Sequence, residues 1–365
     1  LVFLMGVLTG YKVVEFSRYP AGSILGMLLA DQGADVHKIE PLGGDPSRGT
    51  EEFSVWNRGK HSSLSKYSKN VVAHYANSAD IVIECLNPSE KNSLGVTFDS
   101  LSLVSSDREP VVVSIPAFPE GHPLEWLPAR EGLLAASSGV YALNPSGDNP
   151  VPGEGPSFHE LYYASTFAAI TAAPAVIAGL LYREKTGKGQ QITVPIHDSM
   201  YQGMGTALVR HSQRPHGRQE GHPVIARFYR CGDGRWINVN IAIPRFLKPF
   251  LQAIGHIDWL DHLTDNERLN SDSTFLEKWT QKFEELWSTR TALEWEDFME
   301  QIGVPGTACR TIDEWLDEPQ ASESGAVIHI NDPIFGRMKQ PGLLVKTHGH
   351  LGQIKTPAPE LPRDN

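Results

Sequence analysis

The chain has 365 residues, 40% hydrophobic and 21% charged, which exceeds one ordinary domain and gives a globular protein able to bury a substantial core. Its net charge of -11 argues against nucleic acid as a bulk partner, since phosphate neutralisation needs a basic surface, but permits a local basic pocket for a small anion. Cys85, Cys231 and Cys309 are isolated, with no C-x-x-C pair, so neither a zinc site nor a disulfide framework is expected, and a reducing cytoplasm fits.

The opening "LVFLMGVLTG" is apolar but lacks a basic n-region and a clear cleavage site, so a signal peptide is not expected. The start at Leu1 rather than Met is compatible with a longer polypeptide. "YKVVEF" (11–16) reads as a buried strand, "AGSILGMLLADQGA" (21–34) as a helix ending at Gly33, and "DVHKIEP" (35–41) as a second strand. That order begins an open α/β sheet with a crossover connection. "NSADIVIECLN" (77–87) and "REPVVVSIP" (108–116) supply two further strands. No G-x-G-x-x-G turn follows the first strand, which argues against a nicotinamide dinucleotide.

"YYASTFAAITAAPAVIAGLLY" (162–182) carries no charge over twenty-one residues. Its length fits a membrane span, but its Ala, Ser and Thr content favours a buried small-residue helix, and no membrane is expected. "REKTGKGQQITVPIHDSM" (183–200) then turns into a strand and a helix, and "VIARFYRCGDGRWINVNIA" (224–242) reads as a hairpin around its GDG turn. Helical patterns follow at 244–255, 275–287 and 291–302, and "GAVIHI" and "PIFGRMKQPGLLV" read as short strands returning to the first part. The expected organisation is a large Rossmann-like α/β domain at 1–214, a small α+β domain at 215–318, and a C-terminal segment, 319–365, returning to the large domain.

No G-x-S-x-G elbow or Walker loop is present. His211, His216 and His222 lack an acid or Cys at ligand spacing, so a solvated loop is expected there and no metal. "VWNRGKHSSLSK" (55–66) groups Arg58, Lys60 and His61, and "GGDPSRG" (43–49) adds Arg48. Both segments follow strands, where open α/β sheets bind ligands, so an anion cradle and an ordinary solvated loop are both open readings.

Several collinear stretches, among them "LTGYKVVEFSRYPAGSILGMLLADQGADVHKIEPLGGDPSRG", "WNRGKHSSLSK", "ADIVIECLNPSEKNSLGVT" and "LLYREKTGKGQQITVPIHDSM", resemble the family III CoA-transferases, the CaiB/BaiF family of formyl-CoA transferases and α-methylacyl-CoA racemases. The resemblance implies the same α/β fold, acyl-CoA and a carboxylic acid as substrates, no tightly bound cofactor, and an interlocked-ring dimer. In that family an Asp ahead of the long uncharged helix attacks the acyl-CoA thioester, which is nucleophilic catalysis by a carboxylate. Counting back from Arg183 by the transferase spacing places Ser165 there, and Ala164 by the racemase spacing. His159 and Glu160 are the nearest titratable residues, and Arg130 stands where the racemases carry a catalytic His.

The resemblance also puts Arg18, Ala21, Gly22, Arg48, Arg58 and Lys60 on the CoA side. There Cys85, Ser89 and Ser93 replace expected residues and Lys91 is a possible substitute for the Arg that Ser93 displaces. It implies a transferase subunit or half whose Asp comes from a homologous partner, in a homodimer or heterodimer. The alternatives are an active chain with Glu160 as nucleophile, a non-catalytic CoA-binding or structural subunit, and a racemase-like enzyme.

Overall fold

Runs such as KVVEFS and IVIEC show no polar alternation because the strands they form are covered on both faces. Six strands, β1 (Lys12–Ser17), β2 (Asp35–Glu40), β3 (His61–Leu64), β4 (Ile81–Cys85), β5 (Val111–Ser114) and β6 (Gln190–Thr193), form one sheet. Their order is β3-β2-β1-β4-β5-β6 and every pairing is parallel. This is the order of a doubly wound α/β sheet, with its switch point between β1 and β4. The computed structural model describes residues 6–105, 108–142, 161–209, 212, 221–343, 345 and 352–361.

Val13, Ile81, Ile83, Val111 and Val113 face one core, shared with α1 (Pro20–Asp31) and, further along the chain, with the long helix at residues 163–186. Val14, Phe16, Val82 and Val112 face a second core on the other side. After α2 (Glu51–Trp56), that core is completed by α3 (Lys69–Ala76), and after α4 (Pro88–Leu94) by α5 (Phe98–Val104). Each fully buried Val or Ile contributes roughly 1.5–3 kcal/mol.

α6 (Glu131–Ser138) precedes α7 (Tyr163–Thr186), the uncharged run, and Gly187 at φ +74 ends it in the left-handed conformation. By length and composition α7 could cross a membrane. Ala164, Ala168, Ala169, Ala172, Val176 and Leu180 of its inner face are buried in the first core. Its outer face is not: Ile170 is 48% and Leu181 57% exposed. The expectation of a buried helix thus describes one face only, the face on which α7 meets α1, β5 and β6. α8 (Ile196–Met204) completes this run of elements.

The described residues fall into two units. The first takes those up to 142, 161–208 and those from 319 on; the second takes 209–318. Within the second, β7 (Ala226–Arg230), β8 (Trp236–Asn240) and β9 (Gly306–Ala308) form an antiparallel sheet in that order. Helices at 244–253, 273–287 and 292–301 pack Phe250, Phe283, Trp287 and Trp295 against it. In the first unit β10 (Val327–Asp332) and β11 (Gly336–Pro341) pair as a hairpin.

Two histidines of the expected solvated loop, His211 and His216, lie outside the described residues. His222 is half-buried rather than solvated: Nδ1 accepts the N–H groups of Val224 and Ile225, and Nε2 pairs with the Leu263 carbonyl at 2.8 Å. These bonds hold the turn into β7, and burial lowers the His222 pKa.

Candidate active site

The carboxyl ends of β1, β4 and β5 meet at the switch point, where doubly wound sheets take ligands. β1 continues through Ser17, Arg18 and Tyr19 into α1, whose first turn has Pro20, no acid and no side-chain cap. Backbone N–H groups at such a helix start favour an anion. Tyr19, Cys85, Asn87, Glu90 and Leu127 line a narrow cleft there. Beside it, Lys91, Asn92, Thr97, Ser114, Gln191 and Thr193 line a cavity of about 220 Å³.

The predicted ligand residues divide between these openings and the interior. Arg18 reaches Glu90 at 3.4 Å and lies 5.1 Å from the Tyr67 ring, with both ends of the ion pair about one-third exposed. Lys91 Nζ lies 3.0 Å from Glu84 Oε1 and 2.9 Å from Ser114 Oγ, at the wall of the 220 Å³ cavity. Arg130, the residue before α6, is exposed.

Ala21 and Gly22 are buried. A Cβ on Gly22 would stand 2.5 Å from the Cβ of Ser17. The glycine is therefore explained by α1 lying close on β1, and no ligand approach is needed to account for it.

Three basic residues expected at a ligand face instead spend their donors inside the fold. Arg48 holds Glu40 in a two-pronged pair, both bonds 2.6 Å, and donates through NH1 to the Pro359 carbonyl. Arg58, 1% exposed, donates to both oxygens of Asp31 and to the Pro341 carbonyl. Burial pushes the Asp31 carboxyl up and outweighs Arg58 beside it. Lys60 donates to Glu15 Oε2 at 2.7 Å, the Ser23 carbonyl at 2.8 Å and Asn57 Oδ1 at 3.0 Å, so all three ammonium hydrogens are used. Freeing any of these for a phosphate would strand a buried partner charge.

Ser165 is fully buried in the first turn of α7. The N-cap residue Tyr162 offers no side-chain cap, and a carboxylate from α6 takes over. Glu131 Oε1 accepts the Ala164 N–H at 2.7 Å, and Oε2 accepts the Ser165 N–H at 3.0 Å and its hydroxyl at 2.7 Å. Negative charge at a helix N-terminus is stabilised by these otherwise unpaired amides. Tyr162 is fixed by Glu52 at 3.3 Å and by an edge contact with Trp56. Burial, with Glu52 and then Glu131 nearby, raises its phenol pKa.

Sequence reasoning missed Glu131. The available signal was an acid opening the helical pattern after Arg130, which marks a first turn. Its bond to Ser165, 34 residues away, has no sequence signature.

His159 and Glu160 lie outside the described residues. Cys85, 1% exposed at the cleft, donates to the Ile115 carbonyl. Burial and the charge of Glu84 raise its pKa far above the ordinary thiol value, so it stays protonated and is a poor nucleophile.

A sequence model of CoA-transferase family III matches residues 8–365. The chain belongs to CoA-transferase family III. This family III chain is similar to the CoA-transferase/lyase DddD of Marinomonas sp. (strain MWYL1), 28% identical over 97% of the chain and 48% of that protein. It is also similar to the (R)-2-hydroxy-4-methylpentanoate CoA-transferase of Clostridioides difficile, 25% identical over 86% of the chain and 82% of that enzyme. The crystal structure of Rv3272 from M. tuberculosis shares the fold, with TM-score 0.84 at 22% identity over 98% of this chain and 97% of that one. The family III chain spans about half the length of DddD.

Proposed function

We propose that this chain takes part in moving CoA between an acyl-CoA and a carboxylic acid, as a cytoplasmic subunit or half whose nucleophilic carboxylate comes from a homologous partner. The observation that carries this reading is the occupancy of the α7 start: Ser165 is buried and hydrogen-bonded to Glu131, whose two oxygens already accept three bonds. A carboxylate whose two oxygens are both committed to donors at a helix N-terminus is not free to attack a thioester. An Asp from the partner would attack the thioester carbonyl and expel CoA thiolate, leaving a mixed anhydride. The thiolate would then take the aspartyl carbonyl and release the donor acid, and the acceptor carboxylate would reverse the two steps.

On this chain CoA would lie along the carboxyl edge of the sheet, with Arg18, Lys91 and Arg130 toward its anionic groups and the uncapped α1 start behind them. Charge-assisted bonds to phosphate would supply much of the affinity. Racemase chemistry has less support, since a guanidinium at position 130 cannot serve as a base near neutral pH. The similarity to one half of DddD and the exposed apolar face of α7 favour an assembly of two such folds, and the free Cys85, Cys231 and Cys309 fit a reducing compartment.

Calorimetric titration with free CoA tests the ligand side. Saturable binding that weakens about tenfold in Lys91→Gln, as expected for losing one charge-assisted contact, agrees with the proposal. Absence of binding at millimolar CoA, or an unchanged affinity in a folded Lys91→Gln chain, contradicts it.

A further inference from the structure

The register of β4, β5 and β6 sets Glu84, Ser114 and Thr193 side by side in one row across the sheet. Two residues on from Val82 and Val112, Glu84 and Ser114 share their face, which is opposite the face that packs on α7. On that face Ser114, Thr193 and Lys91 of α4 line the 220 Å³ cavity, whose apolar part is Leu86, Pro116 and Phe118.

Three of the side chains meet at one corner of this cavity. Ser114 Oγ donates to Glu84 Oε1 and accepts from Lys91 Nζ at 2.9 Å. Glu84 is fully buried, and its Oε2 is held by the Leu86 N–H at 3.0 Å. Lys91 Nζ spends one hydrogen on Ser114 and a second on Glu84 Oε1 at 3.0 Å. An ammonium has three. The third has no partner among the described residues, and the side chain is 17% exposed where it lines the cavity.

A hydroxyl within hydrogen-bond reach of a base that a third group orients has the arrangement of an activated nucleophile. An unspent cationic N–H beside it can meet the negative charge that develops on a carbonyl oxygen under attack. We propose that Ser114 is the nucleophile of a second activity, the hydrolysis of esters of short carboxylic acids in this cavity. Ser114 Oγ bonds to the acyl carbon and gives its proton to Glu84 while Lys91 donates to the carbonyl oxygen. The ester carbon–oxygen bond then breaks, and the leaving alcohol oxygen takes the proton from Glu84. Water adds to the acyl-serine, its proton passing to Glu84 and on to Ser114 Oγ as the acid departs. The cavity is smaller than ordinary small-molecule sites, about 300–1,000 Å³, which restricts the acyl group to a short one. The reaction uses neither CoA nor a carboxylate at the start of α7.

The full chain would be assayed with p-nitrophenyl acetate. Separately it would be treated with diisopropyl fluorophosphate, which phosphorylates an activated serine and expels fluoride, and the adduct located by peptide mass spectrometry. The expected results are an adduct on Ser114 and ester turnover that falls about hundredfold or more in Ser114→Ala. That variant keeps the Lys91–Glu84 pair, and a thermal melt confirms that it folds. Thr193→Trp leaves all three groups in place, fills the cavity from its exposed edge strand and is expected to abolish turnover. The adduct is read on the unmodified chain, so it decides the matter even where a variant does not fold. Unchanged turnover in a folded Ser114→Ala chain, an adduct only on another residue, or no turnover above the buffer rate would overturn the proposal.

Discussion

Lys60 brings a positive charge into a pocket that already holds another. Glu15, fully buried, binds Lys38 through Oε1 and Lys60 through Oε2, both at 2.7 Å. Burial also disfavours the charge on Lys38, but Glu15 and Asp45 together raise its pKa. On Lys60, burial and the like charge of Lys38 outweigh Glu15 and lower the pKa to about 8. The unfolded chain protonates this lysine up to about pH 10.4. Between the two values the unfolded state binds more protons, so stability rises with pH there. Urea unfolding from about pH 8 to 9.5 should show this rise, with a slope on the order of 1 kcal/mol per pH unit at most, and Lys60→Met should flatten it. Equal slopes in both chains would refute the assignment.

The same scale governs Ser165. Ser165→Asp alone sets two carboxylates against each other in a buried place, and should destabilise by about 1–3 kcal/mol in chemical denaturation. Adding Glu131→Gln should recover part of that loss, so a purely additive double variant would contradict the contact. Position 165 could be found by motif spacing. The carboxylate bonded to it could not, because α6 and α7 meet only in three dimensions. Arg58 and Lys60 invite a ligand reading because basic residues between strands are usually solvated. Their partners, Asp31 and Glu15, lie 27 and 45 residues away.

At the scale of elements, α1 owes its position to two glycines. A Cβ at Gly22 would press on Ser17, and one at Gly26 would stand 2.3 Å from Glu15 Oε2. Gly22→Ala should therefore cost about 1–3 kcal/mol by overpacking despite its better helix propensity, read as a lower melting temperature. A stabilised Gly22→Ala chain would show that α1 can shift without loss.

β1, β2, β4 and β5 were legible because buried parallel strands leave short β-branched runs. β3 was not: HSSL is an edge strand without a large apolar residue before Leu64. β9, three residues reading GTA, gains its identity only by pairing with β8. The composition of α7 indicated a packed helix but not which face packs, since Ala occurs on its outer side as well.

For the whole molecule, membership of CoA-transferase family III and the proposed absence of a nucleophilic carboxylate at position 165 underlie the proposal of work shared between chains. The decisive measurement is CoA transfer from a short acyl-CoA to a free carboxylic acid by the purified chain, alone and mixed with an Asp-bearing homologue from the same source. The proposed division of work predicts no transfer by the chain alone and turnover in the mixture, lost when the homologue's Asp is changed to Asn. Turnover by the chain alone would contradict it and place the nucleophile within this sequence.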